Sequence, residues 1–236
     1  SPVLDAVLIE RIVLVGILML AGSFGMFLLA GERGQSMAEA RTIAMNVFVA
    51  IETVYLFNWV AWFMFLSWLP TVLKATGLPA EQAPMGTVAV NTVFVVCAIP
   101  LAIILPKVNA RLLLLALFLF GIAISWGLAN SGTHWSLVFI LAGAAGLGIG
   151  GQQIVLNYMV AQAYPTALRA TATGWAIALG RVGAIIGSAS GGWFLEHGGP
   201  SGYYSALIVP LVIATAGLLI IRSQPQAVPT QSPVSH

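Results

Sequence analysis

The chain has 236 residues, of which 59% are hydrophobic and only 7% are charged, and its formal net charge is +2. A soluble domain carries about 25% charged residues, so this composition excludes that class and predicts an integral membrane protein. The few lysines and arginines form no basic patch, which excludes a nucleic-acid partner. The single cysteine, Cys97, excludes an intrachain disulfide.

The apolar runs are continuous and about 20 residues long, as membrane helices require, whereas barrel strands would be shorter and would alternate in polarity. The predicted fold is therefore an all-α integral membrane protein with about seven transmembrane helices, which are in contact with the lipid bilayer. In chain order the runs are Ile12–Ala30, Thr42–Leu73, Gly86–Leu105, Leu112–Ala129, Ser136–Ala161, Ala172–Leu195 and Tyr203–Ile221.

The second run, Thr42–Leu73, is unusually long, because its 32 residues would form a helix of about 48 Å. We expect one overlong or tilted helix, since dividing the run near Asn58 would weaken the asymmetry of basic residues described next. The tail, residues 223–236, has three prolines and few residues to bury, so we expect it to be disordered.

The basic residues of the connections are unevenly distributed between the two sides that seven spans define. Only Arg11 and Lys74 lie on one side, whereas the other side has Arg33, Arg41, Lys107, Arg111, Arg169 and Arg222. Because cytoplasmic loops are enriched in lysine and arginine, we expect the six-residue side and the C-terminus to be cytoplasmic. The predicted location is the cell (inner or plasma) membrane. The connections 106–111 and 163–171 then lie inside, and 130–135 and 196–202 outside.

Arg181 is the only charged residue in the span Ala172–Leu195. An unpaired guanidinium at that depth costs roughly 3 kcal/mol, so it faces protein, water or a bound anion. Small residues beside it form one face on which a second helix can approach closely: Gly180, Gly183, Ala184, Gly187, Ser188, Gly191 and Gly192. We predict that Arg181 binds substrate; the alternative is that it pairs with a helix carbonyl or another polar residue.

Three further polar positions are candidates for function. Gln153 and Asn157 are four residues apart and share a helix face, where they would bind substrate or link helices. Arg169 precedes the Arg181 span, where it would serve as a gate or simply as a topology-setting charge. Glu52 is the only acidic residue within a span, so it would bind a cation or be a protonated, hydrogen-bonded relic.

Residues 1–58 resemble the seventh and eighth membrane helices of P-type cation-transporting ATPases, through ERIVLVGILMLAGSFGMFLLA and then EARTIAMNVFVAIETVYLFN. A glutamate on the eighth helix of that family contributes to the ion site, and Glu52 is the match here. The resemblance therefore implies Glu52 as a metal-ion ligand. One carboxylate alone cannot supply the six or more oxygens that calcium prefers.

Residues 59–222 instead resemble the C-terminal six-helix bundle of major facilitator superfamily transporters, most closely the aromatic acid:proton symporters. The resemblance rests on WFMFLSWLPTVLKATG, PKVNARLLL and above all YPTALRATATGWAIALGRVGAIIG, which holds Arg169 and Arg181. It implies proton-coupled uptake of a small organic acid of the aromatic class, with Arg181 as a central-cavity residue. The PKVNARLLL segment departs from the family because it lacks the usual aspartate.

The two resemblances require opposite helix directions, so we expect the ATPase-like pair to serve only as apolar packing. No aspartyl-phosphorylation segment or phosphate-binding loop is present in the sequence, so we expect no enzyme activity and no cofactor. Half of a two-bundle carrier needs a second bundle, from another subunit or a second copy. The alternatives are a fusion remnant or fragment without transport activity, or the membrane part of a P-type cation transporter.

Overall fold

The computed structural model describes the backbone of residues 38–163 and 166–220, and side chains within 49–219 apart from 163–169 and 171. Apart from short connections, this part of the chain is helical, and the described residues contain no strand, as predicted. A 3₁₀ turn, Leu105–Lys107, and a π-helical turn, Gly146–Gly150, accompany seven α-helices: α1 Ala38–Ala75, α2 Ala83–Ile104, α3 Ala110–Asn130, α4 Trp135–Ala145, α5 Gly151–Ala163, α6 Thr166–Ala206 and α7 Ile208–Ile220.

Five stretches of the described residues are long and apolar enough to cross a membrane. They are Val49–Ala75, Ala83–Lys107, Ala110–Asn130, Trp135–Gln162 and Ala172–Leu219. The last has 48 residues, enough for two crossings, and contains both of the final predicted spans. The first predicted span, Ile12–Ala30, lies outside the described residues, as do residues 223–236. The protein is therefore a multi-pass membrane protein.

Helix α1 is continuous for 38 residues, which confirms the expectation of one overlong helix. Asn58, near the predicted boundary between the two resemblances, is fully buried in the middle of this helix. The amide of Asn58 donates a 2.6 Å hydrogen bond to Gln152 Oε1. The boundary itself stays a prediction.

Two expected loops were wrong in extent. The connection predicted at 163–171 is largely helical, because α6 already begins at Thr166 and its first turns are rich in the good helix formers alanine and leucine. The connection predicted at 196–202 is a kink within α6 at Gly199, where φ is +61° and a residue with a side chain would be strained. Pro200 follows and removes a backbone donor, so the chain turns back without a long loop.

The small-residue face of α6 packs directly on α1, as the sequence predicts. A Cβ atom on Gly183 or Gly187 would overlap the backbone carbonyl oxygens of Leu56 and Val60. Without side chains at these positions the two backbones approach closely, which maximises van der Waals contact in a bilayer. The contact between α1 and α6 is the most extensive in the described bundle, and it fixes which residues of α1 lie beside Arg181.

Two hydrogen bonds mark the opposite ends of the bundle. Arg111 donates to the Leu219 carbonyl oxygen at 3.1 Å, which joins the start of α3 to the end of α7. At the other end, the Ser201 hydroxyl donates to the Ala129 carbonyl oxygen at 2.8 Å. The two connections predicted outside therefore share one end, and the 106–111 connection shares the other with the end of α7.

Candidate functional site

An aromatic ladder runs along one face of α1. Tyr55, Trp59 and Phe63 recur every four residues, so successive side chains lie one above the other on the helix. The rings of Tyr55 and Trp59 are stacked with centroids 6.1 Å apart, and those of Trp59 and Phe63 with centroids 5.2 Å apart. Aromatic pairs at these separations attract beyond the effect of buried area alone, so the three rings form one continuous aromatic surface.

Arg181 lies on this ladder. Its guanidinium carbon is 5.6 Å from the centre of the Trp59 ring, within the range of a cation–π contact. Gly180 allows the approach, because a Cβ atom there would lie 2.8 Å from the indole. Within the described part of the chain, Arg181 has no hydrogen bond or ion pair, and its side chain is exposed. The alternative that it pairs with a helix carbonyl therefore has no support among these residues.

The second polar group is an amide cluster formed by Tyr55, Gln153 and Asn157. The Gln153 amide nitrogen donates to the Tyr55 hydroxyl at 2.6 Å, and this hydroxyl donates to Asn157 Oδ1 at 2.5 Å. Gln153 and Asn157 share a face of α5, as the sequence predicts. The π-helical turn immediately before α5 shifts the phase of this helix, a feature frequent at functional sites.

The neighbouring amide, Gln152, belongs to the packing instead. It is fully buried, accepts a hydrogen bond from Asn58 and donates to the carbonyl oxygens of Gly148 and Leu117, at 2.5 and 3.2 Å. These bonds join α1, α3 and α5. Gln152 therefore links helices, whereas Asn157 is exposed and Gln153 only partly buried.

Glu52 lies one turn before Tyr55 on α1. The residue is 6% exposed, and its Oε2 has no hydrogen-bond partner among the described residues. The described part of the chain contains no group of three or more histidine, cysteine, aspartate or glutamate side chains that could hold a metal ion. The role of Glu52 in metal binding stays a prediction. The side chain of Arg169, in the first turn of α6, lies outside the described residues, and its gating role likewise stays a prediction.

The structure brings Arg181, Gln153 and Asn157 to the same ladder on α1. The aromatic residues of the ladder itself were not predicted from the sequence as part of the site: Tyr55, Trp59 and Phe63. Their four-residue spacing is visible in the segment YLFNWVAWF, although the same spacing is common in helix cores. Only the register of α1 against α6 shows that Trp59 lies beneath Arg181. Together the guanidinium, the aromatic faces and the amides can hold a flat organic anion.

A family model described as the Major Facilitator Superfamily matches residues 51–235. Among curated relatives, the 4-hydroxybenzoate transporter PcaK of Pseudomonas aeruginosa is 29% identical over 201 residues, covering 77% of this chain and 44% of the relative. The gallate transporter of Pseudomonas putida is 32% identical over 171 residues, covering 72% of this chain and 36% of the relative. The benzoate transport protein of Acinetobacter baylyi is 28% identical over 159 residues, covering 67% of this chain and 34% of the relative. The chain spans less than half the length of these relatives.

Proposed function

Because the chain belongs to the Major Facilitator Superfamily, we propose that it forms one helix bundle of a carrier that takes up a small aromatic acid together with protons. The observation that carries this proposal is the exposed guanidinium of Arg181, which lies over the Trp59 ring and has no hydrogen bond or ion pair with any residue that the structure describes. The names of the relatives, which include 4-hydroxybenzoate, gallate and benzoate transporters, support the substrate class.

The chemistry of the site suits an aromatic carboxylate. A guanidinium forks two parallel hydrogen bonds onto a carboxylate and remains charged at any physiological pH. Arg181 faces away from the packed core, so its donors are accessible while Trp59 supports the planar group from below. The ring of the substrate would rest on the aromatic ladder, and Gln153 and Asn157 would hydrogen-bond its other polar groups.

The remaining parts of the proposal concern a cation site, gating and topology. Glu52 is the proposed cation ligand, because a carboxylate this buried is costly unless it is protonated or coordinates a cation. Arg169 gates access to the site from the cytoplasm. The protein lies in the cell membrane. One end of the bundle faces the cytoplasm, because basic residues are enriched there; this end holds Lys107, Arg111 and the end of α7.

The alternative is that the chain is inactive alone. Alternating access requires two bundles that rock against each other around a shared site. The chain covers only 44% of its relative from Pseudomonas aeruginosa and still less of the other two. A second bundle, supplied by another subunit or a second copy, would complete the carrier. Binding of the acid to Arg181 does not require transport, so binding is the property to measure first.

The test is equilibrium binding of benzoate to the purified chain in lipid nanodiscs, measured by calorimetry. We expect Arg181→Ala to weaken binding at least tenfold, because a charge-assisted hydrogen-bond pair is lost. Lys74→Ala is the matched control, since Lys74 is an exposed cation at the far end of α1. Unchanged benzoate affinity in the Arg181 variant would rule out the proposed site. Uptake into proteoliposomes then distinguishes an active carrier from an inactive bundle.

A further inference from the structure

We propose that a groove between α3 and α7, at the end of the bundle that holds Arg111, binds the headgroup of an anionic phospholipid such as phosphatidylglycerol. Arg111 binds the phosphate, and the leucines of the groove contact the glycerol esters and the first methylene groups of the acyl chains. This surface is separate from the Arg181 site, so the inference does not rest on the proposed function.

The groove lies where two membrane-spanning stretches end. Ala110–Asn130 begins there and Ala172–Leu219 ends there, so the groove is at the level of the lipid headgroups whichever way the bundle is inserted. Its volume is about 200 Å³, and it is lined by one guanidinium, one amide and four leucines. Leu112 and Leu219 are 64% and 57% exposed, so the groove opens onto the outer surface of the bundle.

Hydrogen bonds fix the position of Arg111 in the groove. Its Nη2 donates to the Leu219 carbonyl oxygen at the end of α7, at 3.1 Å. The Asn109 side chain accepts from the backbone nitrogens of Arg111 and Leu112, at 3.1 and 3.3 Å, which caps α3 and orders the backbone that carries the guanidinium. A guanidinium has five N–H donors in one plane, so it can bind a backbone carbonyl and a phosphate together.

The charge around the groove favours a lipid with a net negative headgroup. None of the described residues that line it is acidic, and residues 82–195 contain no aspartate or glutamate. Lys107 is exposed four residues before Arg111 and adds a second positive charge at this end. A zwitterionic headgroup brings an ammonium group that these cations repel, whereas phosphatidylglycerol brings only its phosphate. Basic pockets between membrane helices are typical binding sites for anionic headgroups.

The apolar walls of the groove favour a lipid over a free phosphate ion. Two leucines of α3, three residues apart and therefore on one helix face, lie opposite two leucines of α7: Leu112, Leu115, Leu218 and Leu219. A free phosphate gains nothing from these side chains, whereas an acyl chain removes apolar surface from water. The groove therefore fits a molecule that is anionic at one end and apolar at the other.

The experiment measures the dissociation constant of the first bound lipid by native mass spectrometry of the chain in neutral detergent. We expect dioleoyl phosphatidylglycerol to bind about tenfold more tightly than dioleoyl phosphatidylcholine, because each cation near an anionic headgroup contributes about fivefold. Arg111→Gln keeps a donor for the Leu219 carbonyl but removes the charge, so it should lower phosphatidylglycerol affinity about fivefold. Leu115→Phe fills the groove without changing its charge and should also weaken this binding.

Lys74→Gln is the matched control, because it removes an exposed cation at the opposite end of the bundle and should leave phosphatidylglycerol affinity unchanged. Thermal unfolding in the same detergent shows which variants are folded, and Leu115→Phe decides the matter if Arg111→Gln is not. Equal binding of the two lipids by the unmodified chain overturns the inference, as does an equal loss in Lys74→Gln or unchanged affinity in the folded groove variants.

Glycerol 3-phosphate tests the other source of the same anion. It should not displace phosphatidylglycerol at equal concentration, because it makes no contact with the leucines. If it does, the groove binds free phosphate esters and the inference is wrong. The proposed function is tested separately by benzoate binding, so a failure at the groove and a failure at Arg181 are distinguishable.

Discussion

Replacement of Gly183 by alanine tests the close packing that places Trp59 beneath Arg181. A Cβ atom at this position would overlap the Leu56 carbonyl oxygen and lie 3.2 Å from Trp59 Cβ. Because both neighbours belong to the backbone or its first side-chain atom, α1 and α6 must move apart. Overpacking of this kind costs about 1–3 kcal/mol, against a gain of about 1 kcal/mol in helix propensity. We expect net destabilisation and, because Trp59 shifts, weaker benzoate binding.

The matched control is Gly174→Ala, in the same helix. Gly174 is exposed, and an added Cβ atom would meet nothing within 4 Å. This change should therefore stabilise the protein by up to about 1 kcal/mol through helix propensity alone. Unfolding in mixed detergent micelles measures both variants. If Gly183→Ala is as stable as Gly174→Ala and binds benzoate normally, the packing described for α1 and α6 is wrong.

Two further predictions concern single side chains of α1. Trp59→Leu keeps an apolar residue but removes the ring beneath the guanidinium. Benzoate affinity should therefore fall about fivefold, in line with a cation–π contact of about 1 kcal/mol. An unchanged affinity would count against the ladder as a binding surface. Glu52→Gln keeps the shape of a buried side chain whose Oε2 has no partner among the described residues, and it removes any cost of ionisation. Thermal stability should therefore be retained or raised, and a clear loss would mean that the carboxylate has a partner.

Much of the fold follows from the sequence. A bilayer offers no water to hydrogen-bond the backbone N–H and C=O groups, so a membrane-spanning segment pairs them within a helix, and long apolar runs indicate where these helices lie. The continuity of α1 and the small-residue face of α6 were both predicted in this way. The kink at Gly199 was not, since glycine and proline together are equally typical of an open loop. The identity of the chain as a helical membrane protein thus depended on hydropathy, which the sequence records directly.

The site was only partly predictable for a different physical reason. Arg181 is conspicuous because a charge in a span is expensive, and the four-residue spacing of Gln153 and Asn157 indicates a shared face. Tyr55 and Trp59 look like ordinary core residues until the rotation of α1 against α6 is known. That rotation is set by Gly180 and Gly183, which fit against Trp59 and Leu56, and tertiary contacts of this kind cannot be deduced from the pattern of one helix.

The most direct test of the central claim compares benzoate with benzamide, which has nearly the same shape but no charge. Calorimetry on the chain in nanodiscs should show benzoate binding at least tenfold more tightly, because only the carboxylate takes both hydrogen bonds from Arg181. In Arg181→Ala this preference should disappear, so that the variant binds benzoate and benzamide with similar affinity. If the unmodified chain binds benzoate and benzamide equally, or if the variant still prefers benzoate, Arg181 is not the anion-binding residue.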